Sequence, residues 1–237
     1  MSVIAQAGAK GRQLHKFGGS SLADAKCYLR VAGIMKEYSQ AGDMMVVSAA
    51  GSTTNQLISW LKLSQSDRLA AHQVQQSLRR YHTELIGGLV EPAAADTLIA
   101  AFIHDLERLA GLLDGGVSEA VYAEVVGHGE VWSARLMAAV LNQLGMEAAW
   151  LDARAFLRAE RAAQPQVDEG LSYPLLQQLM AQHPNKRLVV TGFISRNQAG
   201  ETVLLGRNGS DYSATQIGAL AGASRVTIWS DVAGVYS

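Results

Sequence analysis

The sequence has few of the features that mark secreted, membrane-bound or nucleic-acid-binding proteins. Cys27 is the only cysteine, so a disulfide framework is excluded and a reducing cytosol is the natural compartment. No run of about 18 apolar residues predicts a membrane span, and segment 1–11 lacks the apolar block of a signal peptide. The formal net charge is −1, without the basic stripe of a nucleic-acid surface. We therefore expect a cytoplasmic protein that binds neither membranes nor nucleic acids.

Proline is scarce and glycine is abundant, with 4 and 23 among the 237 residues. This balance fits helices joined to strands through tight turns. Segments of helical period alternate with short segments, several of them apolar throughout, as buried parallel strands are. The predicted strands are 13–17, 43–49, 146–151, 187–191, 201–205 and 225–229. We therefore predict an α/β sandwich around a mostly parallel central sheet.

The longest helical block spans 66–144 and contains three predicted helices, 67–89, 93–113 and 118–144. The histidines of this block show neither His-x-x-x-His spacing nor clustering with cysteine, so we assign no metal ligands.

No helical pattern follows the last predicted strand, 225–229, and we expect the domain to be incomplete at its C-terminal end.

The first predicted strand runs directly into a glycine turn. Lys16 stands beside Gly18 and Gly19, and Ser20 or Ser21 is the predicted N-cap of the helix that follows. Because the lysine precedes the glycines, this is not a Walker motif. Free N–H groups, a helix N-terminus and an ammonium group nevertheless suit a phosphate. The alternative is a plain strand-to-helix turn with a solvent-exposed lysine.

A second strand ends in a small, hydroxyl-rich loop, 48–55. Ligands of α/β proteins bind at the carboxyl ends of parallel strands, so Ser48 and Thr54 are candidate hydrogen-bond donors to a ligand. Alternatively, Ser52 or Thr53 caps the helix predicted at 56–63.

The predicted helix 118–144 contains the segment Gly127-His128-Gly129-Glu130. Two glycines within one turn cost about 2 kcal/mol relative to alanine, a cost that is useful where a ligand or another helix approaches the backbone. Glu130 would then accept from a substrate amine. The alternative is close helix packing with a solvated Glu130.

A third loop, 206–211, places Arg207 between two glycines and in front of a predicted helix, 211–221. Ser210 and Asp211 open that helix. An arginine can grip a carboxylate or phosphate bidentately, and the helix N-terminus adds positive potential. The loop is thus a candidate site for an anionic small molecule, with an ordinary turn as the alternative.

Together and in order, these segments resemble the aspartate kinases of the amino-acid-kinase family. The resemblance rests on Lys16–Ser21 (K-F-G-G-[TS]-S), Val47–Ala49 with Thr54-Asn55, Gly127–Glu130 ([SG]-x-G-E), Gly206–Asp211 (G-R-[GN]-G-S-D) and Ser230–Tyr236 ([TS]-D-V-x-G-[VI]-Y). The chain is most similar to the kinase portion of bacterial bifunctional aspartokinase–homoserine dehydrogenases of the methionine branch. The resemblance implies a three-layer α/β/α sandwich, with a flexible N-terminus at 1–11 and a catalytic domain at 12–237.

The resemblance also implies that ATP, with Mg²⁺, phosphorylates the side-chain carboxylate of L-aspartate. Lys16 and Asp211 would be catalytic, the first neutralising the phosphoryl group and the second orienting the first. The aspartate pocket would contain Ser48, Thr54, Glu130, Phe193, Arg207 and Ser210. The nucleotide site would contain Lys16, Gly18, Gly19, Ser20, Ser230, Asp231 and Tyr236.

Other implications concern the larger protein. Family members continue with the rest of the kinase domain, regulatory domains and, in bifunctional members, a dehydrogenase that alone would need NADP. We therefore expect little or no kinase activity from the chain by itself and a homo-oligomer for the whole protein. Alternatives are another acyl-phosphate kinase of the same fold, acting on glutamate, acetylglutamate or carbamate, and a non-catalytic oligomerisation fragment. A Rossmann dehydrogenase is excluded here because no strand leads into G-x-G-x-x-G.

Overall fold

The computed structural model describes residues 11–206 and 208–230. The predictions for Arg207, Asp231, Tyr236 and all but the last residue of segment 1–11 therefore lie outside the described residues. The strands are β1 (Gln13–Phe17), β2 (Met44–Val47), β3 (Ala148–Leu151), β4 (Arg187–Thr191), β5 (Ile194–Arg196), β6 (Thr202–Leu204) and β7 (Arg225–Trp229). The helices are α1 (Ala25–Tyr38), α2 (Thr53–Ser64), α3 (Arg68–Gly87), α4 (Pro92–Asp114), α5 (Glu119–Val126), α6 (His128–Gln143), α7 (Glu169–Gln182) and α8 (Gly209–Leu220).

Five strands form one parallel sheet in the order β3-β4-β2-β1-β7. The parallel sheet predicted from the apolar segments is confirmed. The strand predicted at 201–205 is also present, as β6, but it pairs antiparallel with β5 in a separate hairpin. Its partner strand was not predicted, because three residues are too few to show an alternating pattern.

The two faces of the sheet bury different residues, since successive side chains of a strand point to opposite sides. Phe17, Met45 and Val47 pack with α1 to α6. Leu14, Met44 and other side chains of the opposite face pack with α7 and α8. The chain is therefore a three-layer α/β/α sandwich, as expected. None of the helices in the described ranges is long and apolar enough to cross a membrane.

The predicted helix 118–144 is in fact two helices. The break lies at Gly127, which ends α5 and precedes α6. A Cβ atom on Gly127 would lie 2.5 Å from Ile194 Cγ2, so only glycine lets the β5–β6 hairpin approach here. The break therefore depends on a contact with a residue distant in sequence.

The predicted start of α1 is wrong. Helix α1 is capped by Asp24 and by neither Ser20 nor Ser21, because the Asp24 carboxylate accepts from the Cys27 N–H at 2.8 Å. Helix α7 begins at Glu169, and Asp168 caps it in the same way. In both helices an aspartate provides the capping oxygen.

Candidate active site

Three chain segments meet at the carboxyl edge of the parallel sheet and surround a cavity of about 430 Å³. They follow β1, β2 and β4, and the first turn of α8 closes the space. The predicted site residues that line the cavity are Lys16, Gly18, Gly19, Ser20, Ser48, Thr54, Glu130, Phe193, Ser210 and Asp211. Ser230 lies beyond the end of β7 and does not line it. The convergence follows from topology, because parallel strands end at the same edge.

Lys16 and Asp211 form an ion pair inside this cavity. Lys16 Nζ lies 2.5 Å from Asp211 Oδ1, and the lysine side chain is only 11% exposed. The interpretation of Lys16 as a solvent-exposed residue is therefore wrong. Asp211 lies in the first turn of α8, where the helix dipole favours a negative charge. The pair leaves one ammonium group, held in a fixed position, at the wall of the cavity.

The two loops after β1 and β2 touch through their backbones. The Gly51 N–H donates to the Gly19 carbonyl at 2.9 Å. A Cβ atom on Gly19 would lie 2.7 Å from the Ala49 carbonyl oxygen, so the contact requires glycine. Gly18 has more room, since its nearest neighbour would be Lys16 Nζ at 3.6 Å. The glycine turn thus presents its backbone beside the lysine ammonium group, which suits a phosphate.

Glu130 is a buried carboxyl group that also lines the cavity. Burial raises its pKa to about 8, although the backbone N–H groups of Ala49 and of Glu130 itself offset part of the rise. Its Oε2 atom has no hydrogen-bond partner among the described residues. The interpretation of Glu130 as a solvated surface residue is wrong. A buried acid with a free oxygen on a cavity wall is suited to bind a cation such as an ammonium group.

Phe193 has a left-handed backbone conformation, with φ at 67°. Such a conformation costs a non-glycine residue about 1–3 kcal/mol and persists only where surrounding contacts hold it. Here the Phe193 N–H donates to Ser213 Oγ at 3.1 Å, and the ring would be 2.6 Å from a Cβ atom on Gly209. The end of β4 and the start of α8 are thereby locked together over the cavity.

A half-buried charge network lies where α5, α6 and the β5–β6 hairpin meet. Its centre is Glu124 of α5, which accepts from Arg108 and Arg154 at 2.8 Å each and from Thr202 at 2.5 Å. Burial alone would raise the pKa of Glu124, but the Arg154 charge and these hydrogen bonds lower it to about 2. His128 joins the network through its contacts with Arg108 and the Glu124 carbonyl. The network ties the β5–β6 hairpin to the start of α6.

Sequence reasoning missed several features of the site. Ala49 acts through its backbone N–H, which bonds to Glu130. A backbone group of this kind cannot be recognised from the residue type. Glu124 and Arg154 are far apart in sequence, and neither lies in a recognisable motif. Neither Ser52 nor Thr53 uses its side chain to cap α2, because Thr53 Oγ1 contacts Ala50 and His82.

Within 11–206 and 208–230, no group of three or more His, Cys, Asp or Glu side chains is arranged to hold a metal ion.

Known proteins resemble this chain over nearly its whole length. The sequence profile of the amino acid kinase family matches residues 11–237. The chain is 85% identical over 237 residues to bifunctional aspartokinase/homoserine dehydrogenase 2 of Escherichia coli K12, covering all of this chain and 29% of that protein. It is 34% identical over 227 residues to the aspartokinase of Chlamydia pneumoniae, covering 94% of this chain and 48% of that one.

Solved structures agree with the sequence relatives. Aspartokinase III of E. coli, in complex with aspartate and ADP, superposes with a TM-score of 0.86 at 28% identity. The superposition covers 95% of this chain and 50% of that chain. This chain therefore spans half the length, or less, of these three proteins.

Proposed function

Because the chain belongs to the amino acid kinase family, we propose that it carries an aspartate kinase site, which transfers the γ-phosphate of ATP to the side-chain carboxylate of L-aspartate. The product is 4-phospho-L-aspartate, the first intermediate of the aspartate-derived amino acids methionine, threonine and lysine. The observation that carries the proposal is one cavity with an ammonium group, Lys16, and a buried carboxyl group, Glu130, on its walls. The similarity to aspartokinases supports the choice of substrate.

The chemistry needs alignment and charge stabilisation more than proton transfer. The attacking carboxylate of aspartate has an ordinary pKa of about 3.9 and is ionised at neutral pH, so no general base is required. Lys16 neutralises charge on the transferring phosphoryl group, and Asp211 holds the lysine ammonium in place. Asp211 is thus a charge partner and takes no proton from the substrate.

The amino acid is held at both ends. Glu130 meets the α-ammonium group, and its carboxyl proton leaves as the cation binds. Arg207, which lies outside the described residues, clamps a carboxylate. Ser48, Thr54 and Ser210 donate hydrogen bonds to the remaining oxygens, and Phe193 covers the pocket.

ATP lies at the other end of the cavity. The backbone of Gly18, Gly19 and Ser20 receives its phosphates, while Ser230, Asp231 and Tyr236 serve the adenosine end. Mg²⁺ is carried by the phosphates of ATP, as this ion prefers to keep few protein ligands, and the described residues supply no acidic cluster for it.

NADP would belong to a dehydrogenase activity elsewhere in the whole protein, which we expect to be a cytoplasmic homo-oligomer. Residues 12–237 form the kinase catalytic domain of this proposal.

The proposal is tested with a substrate panel on the intact protein. ADP release is measured with aspartate, glutamate, acetylglutamate and carbamate. One additional methylene in a fitted pocket costs about 10- to 200-fold in kcat/KM, so aspartate should exceed glutamate by at least about tenfold. Equal or better turnover of glutamate would show that another acyl-phosphate kinase is the correct assignment.

Arg207 supplies a second arm of this test. Arg207→Ala should lower kcat/KM for aspartate by a factor that corresponds to about 2–5 kcal/mol of transition-state binding, because the proposed clamp on a substrate carboxylate is lost. Arg79→Ala, on the exposed face of α3, is the matched control and should leave kcat/KM unchanged.

A further inference from the structure

Two adjacent residues of helix α3 each reach a different loop of the cavity. Tyr81 Oη donates to the Ala23 carbonyl at 3.0 Å, in the segment between the glycine turn and α1. His82 Nε2 lies 3.1 Å from Oγ1 of Thr53, at the end of the loop that follows β2. Helix α3 lines none of the cavity itself. Its two side chains are therefore placed behind both loops, where they contact no substrate.

The proton positions of the second contact can be assigned. Thr53 Oγ1 lies 2.6 Å from the Ala50 carbonyl oxygen, which can only accept, so the hydroxyl proton points there. Towards His82 the hydroxyl oxygen is then the acceptor, and His82 donates from Nε2. Burial lowers the pKa of His82 to about 3, so the ring is neutral and keeps one tautomer. Packing against Phe102 and Trp132, with ring centroids 4.9 and 5.0 Å away, fixes its orientation.

Both contacts lie near the backbone bond between the loops. Tyr81 is beside Gly51, and His82 acts through Thr53, whose hydroxyl donates to the carbonyl of Ala50, the residue before Gly51. Gly51 donates its N–H to the Gly19 carbonyl at 2.9 Å. A Cβ atom on Gly51 would lie 3.0 Å from Tyr81 Oη and 3.4 Å from the Ala23 Cα atom. The tyrosine hydroxyl thus fills the space directly behind the Gly51–Gly19 bond.

We propose that Tyr81 and His82 are positioning residues that set the spacing between the glycine turn, where the phosphates bind, and the loop after β2, where the amino acid binds. The proposal rests on the proposed function for the identity of the two ligands. A phosphoryl transfer that depends on alignment is sensitive to this spacing, because small displacements of the reacting atoms strongly reduce the rate. Binding of each ligand alone depends on it less, since each ligand contacts mainly one loop.

The test uses three variants of the intact protein. Tyr81→Phe removes one hydroxyl and keeps the ring, and His82→Leu removes the donor to Thr53. His82→Gln restores an N–H donor and should recover part of the loss. The control is Tyr28→Phe, which removes a fully buried hydroxyl whose hydrogen-bond partner is Ser133 of α6 and not a residue of either loop.

Two readouts are measured on each protein. Hydrogen exchange of the Gly51 amide, relative to core amides of β2, should accelerate at least about fivefold in Tyr81→Phe and His82→Leu, because one hydrogen bond is worth about that factor. The kcat for aspartate phosphorylation should fall at least about fivefold, while KM for aspartate and for ATP changes by less than about twofold. Tyr28→Phe should change neither readout, even where its melting temperature falls.

The outcomes separate this proposal from the proposed function. Unchanged Gly51 exchange in both variants would overturn the positioning role, and so would faster exchange with an unchanged kcat. If the unmodified protein fails to phosphorylate aspartate, the proposed function is wrong. Gly51 exchange then still decides whether the two α3 residues hold the loops.

Discussion

Lys16 Nζ lies 2.5 Å from Asp211 Oδ1, a contact that joins the first strand to the last helix. The local sequence of neither segment predicts that the two side chains meet. The contact exists because β1 is an interior strand of the sheet, between β2 and β7, and α8 packs against it. The closest charge pair of the cavity is thus a product of topology.

The first prediction concerns Lys16. Lys16→Ala should lower kcat by about 10²- to 10³-fold, the usual effect of removing one group that stabilises charge in a transition state. The assay is ADP release by the intact protein with saturating aspartate and ATP. Lys62→Ala, on the exposed end of α2, is the control and should retain full activity. Unchanged turnover in Lys16→Ala would remove the lysine from the mechanism.

The second prediction concerns stability and Glu130. Burial holds the pKa of Glu130 near 8, against about 4.5 in the unfolded chain, so the folded state keeps a proton that the unfolded state releases. The stabilisation that protonated Glu130 contributes to the folded state is therefore fully present below about pH 4.5 and is lost as pH rises towards 8. The free energy of unfolding of Glu130→Gln should therefore rise, relative to that of the parent protein, by about 1.4 kcal/mol for each pH unit in that window. Urea unfolding at several pH values measures the difference, and a difference independent of pH would contradict the burial of a protonated acid.

The third prediction concerns aspartate binding at the same residue. Since the ammonium group of aspartate needs an ionised Glu130, the dissociation constant should fall by up to about tenfold per pH unit between pH 6 and 8. Binding at pH 7 should release about one proton, which calorimetry detects in two buffers of different ionisation enthalpy. Glu130→Gln should bind aspartate weakly and without this pH dependence. Equal proton release in the variant would assign the titration to another group.

The sheet and the place of the site were predictable from the sequence, for physical reasons. Strand β1 at Gln13–Phe17 and strand β7 at Arg225–Trp229 have the predicted bounds, and the first ends where two glycines follow. Once the strands are parallel, the loops that follow them must meet at one edge. Apart from Ser230, the predicted site residues in the described ranges therefore line one cavity although they are scattered along the chain.

Other features depend on contacts that no local pattern contains. The helix break at Gly127 exists because Ile194 packs where a side chain would be. The left-handed Phe193 has no local signal, since glycine and asparagine are the residues that favour that conformation. The pKa of Glu130 depends on complete burial, which a helical pattern containing two glycines did not reveal.

The fourth prediction concerns Gly129, which packs against the loop after β2. A Cβ atom there would lie 2.7 Å from Ala49 Cβ and 3.1 Å from Thr53 Cγ2. Gly129→Ala should destabilise the protein by about 1–3 kcal/mol through overpacking and should raise KM for aspartate. Gly33→Ala is the matched control on the exposed face of α1. A Cβ atom on Gly33 would have no neighbour within 4 Å outside its own helix backbone. That variant should gain about 0.5–1 kcal/mol from helix propensity, and similar stability for the two variants would refute the packing argument.

The last prediction concerns the charge network behind the site. Arg154 and hydrogen bonds lower the pKa of Glu124 to about 2 against the effect of its burial, from about 4.5 in the unfolded chain. A lowered acid pKa stabilises the folded state above about pH 4.5, and this stability is lost as pH falls towards 2. Glu124→Gln should therefore cost roughly 3 kcal/mol at neutral pH, and the deficit should shrink steadily in acid.

Glu119 provides the comparison for this variant on the same helix. It pairs with Arg161 at 3.5 Å, but its side chain is 70% exposed, so solvent screens the pair. Glu119→Gln should cost no more than about 1 kcal/mol at any pH. Urea unfolding of both variants and the parent between pH 3 and 7 measures the contrast. Equal losses in the two variants, or a Glu124→Gln deficit as large at pH 3 as at pH 7, would contradict a stabilising role for the charge on Glu124.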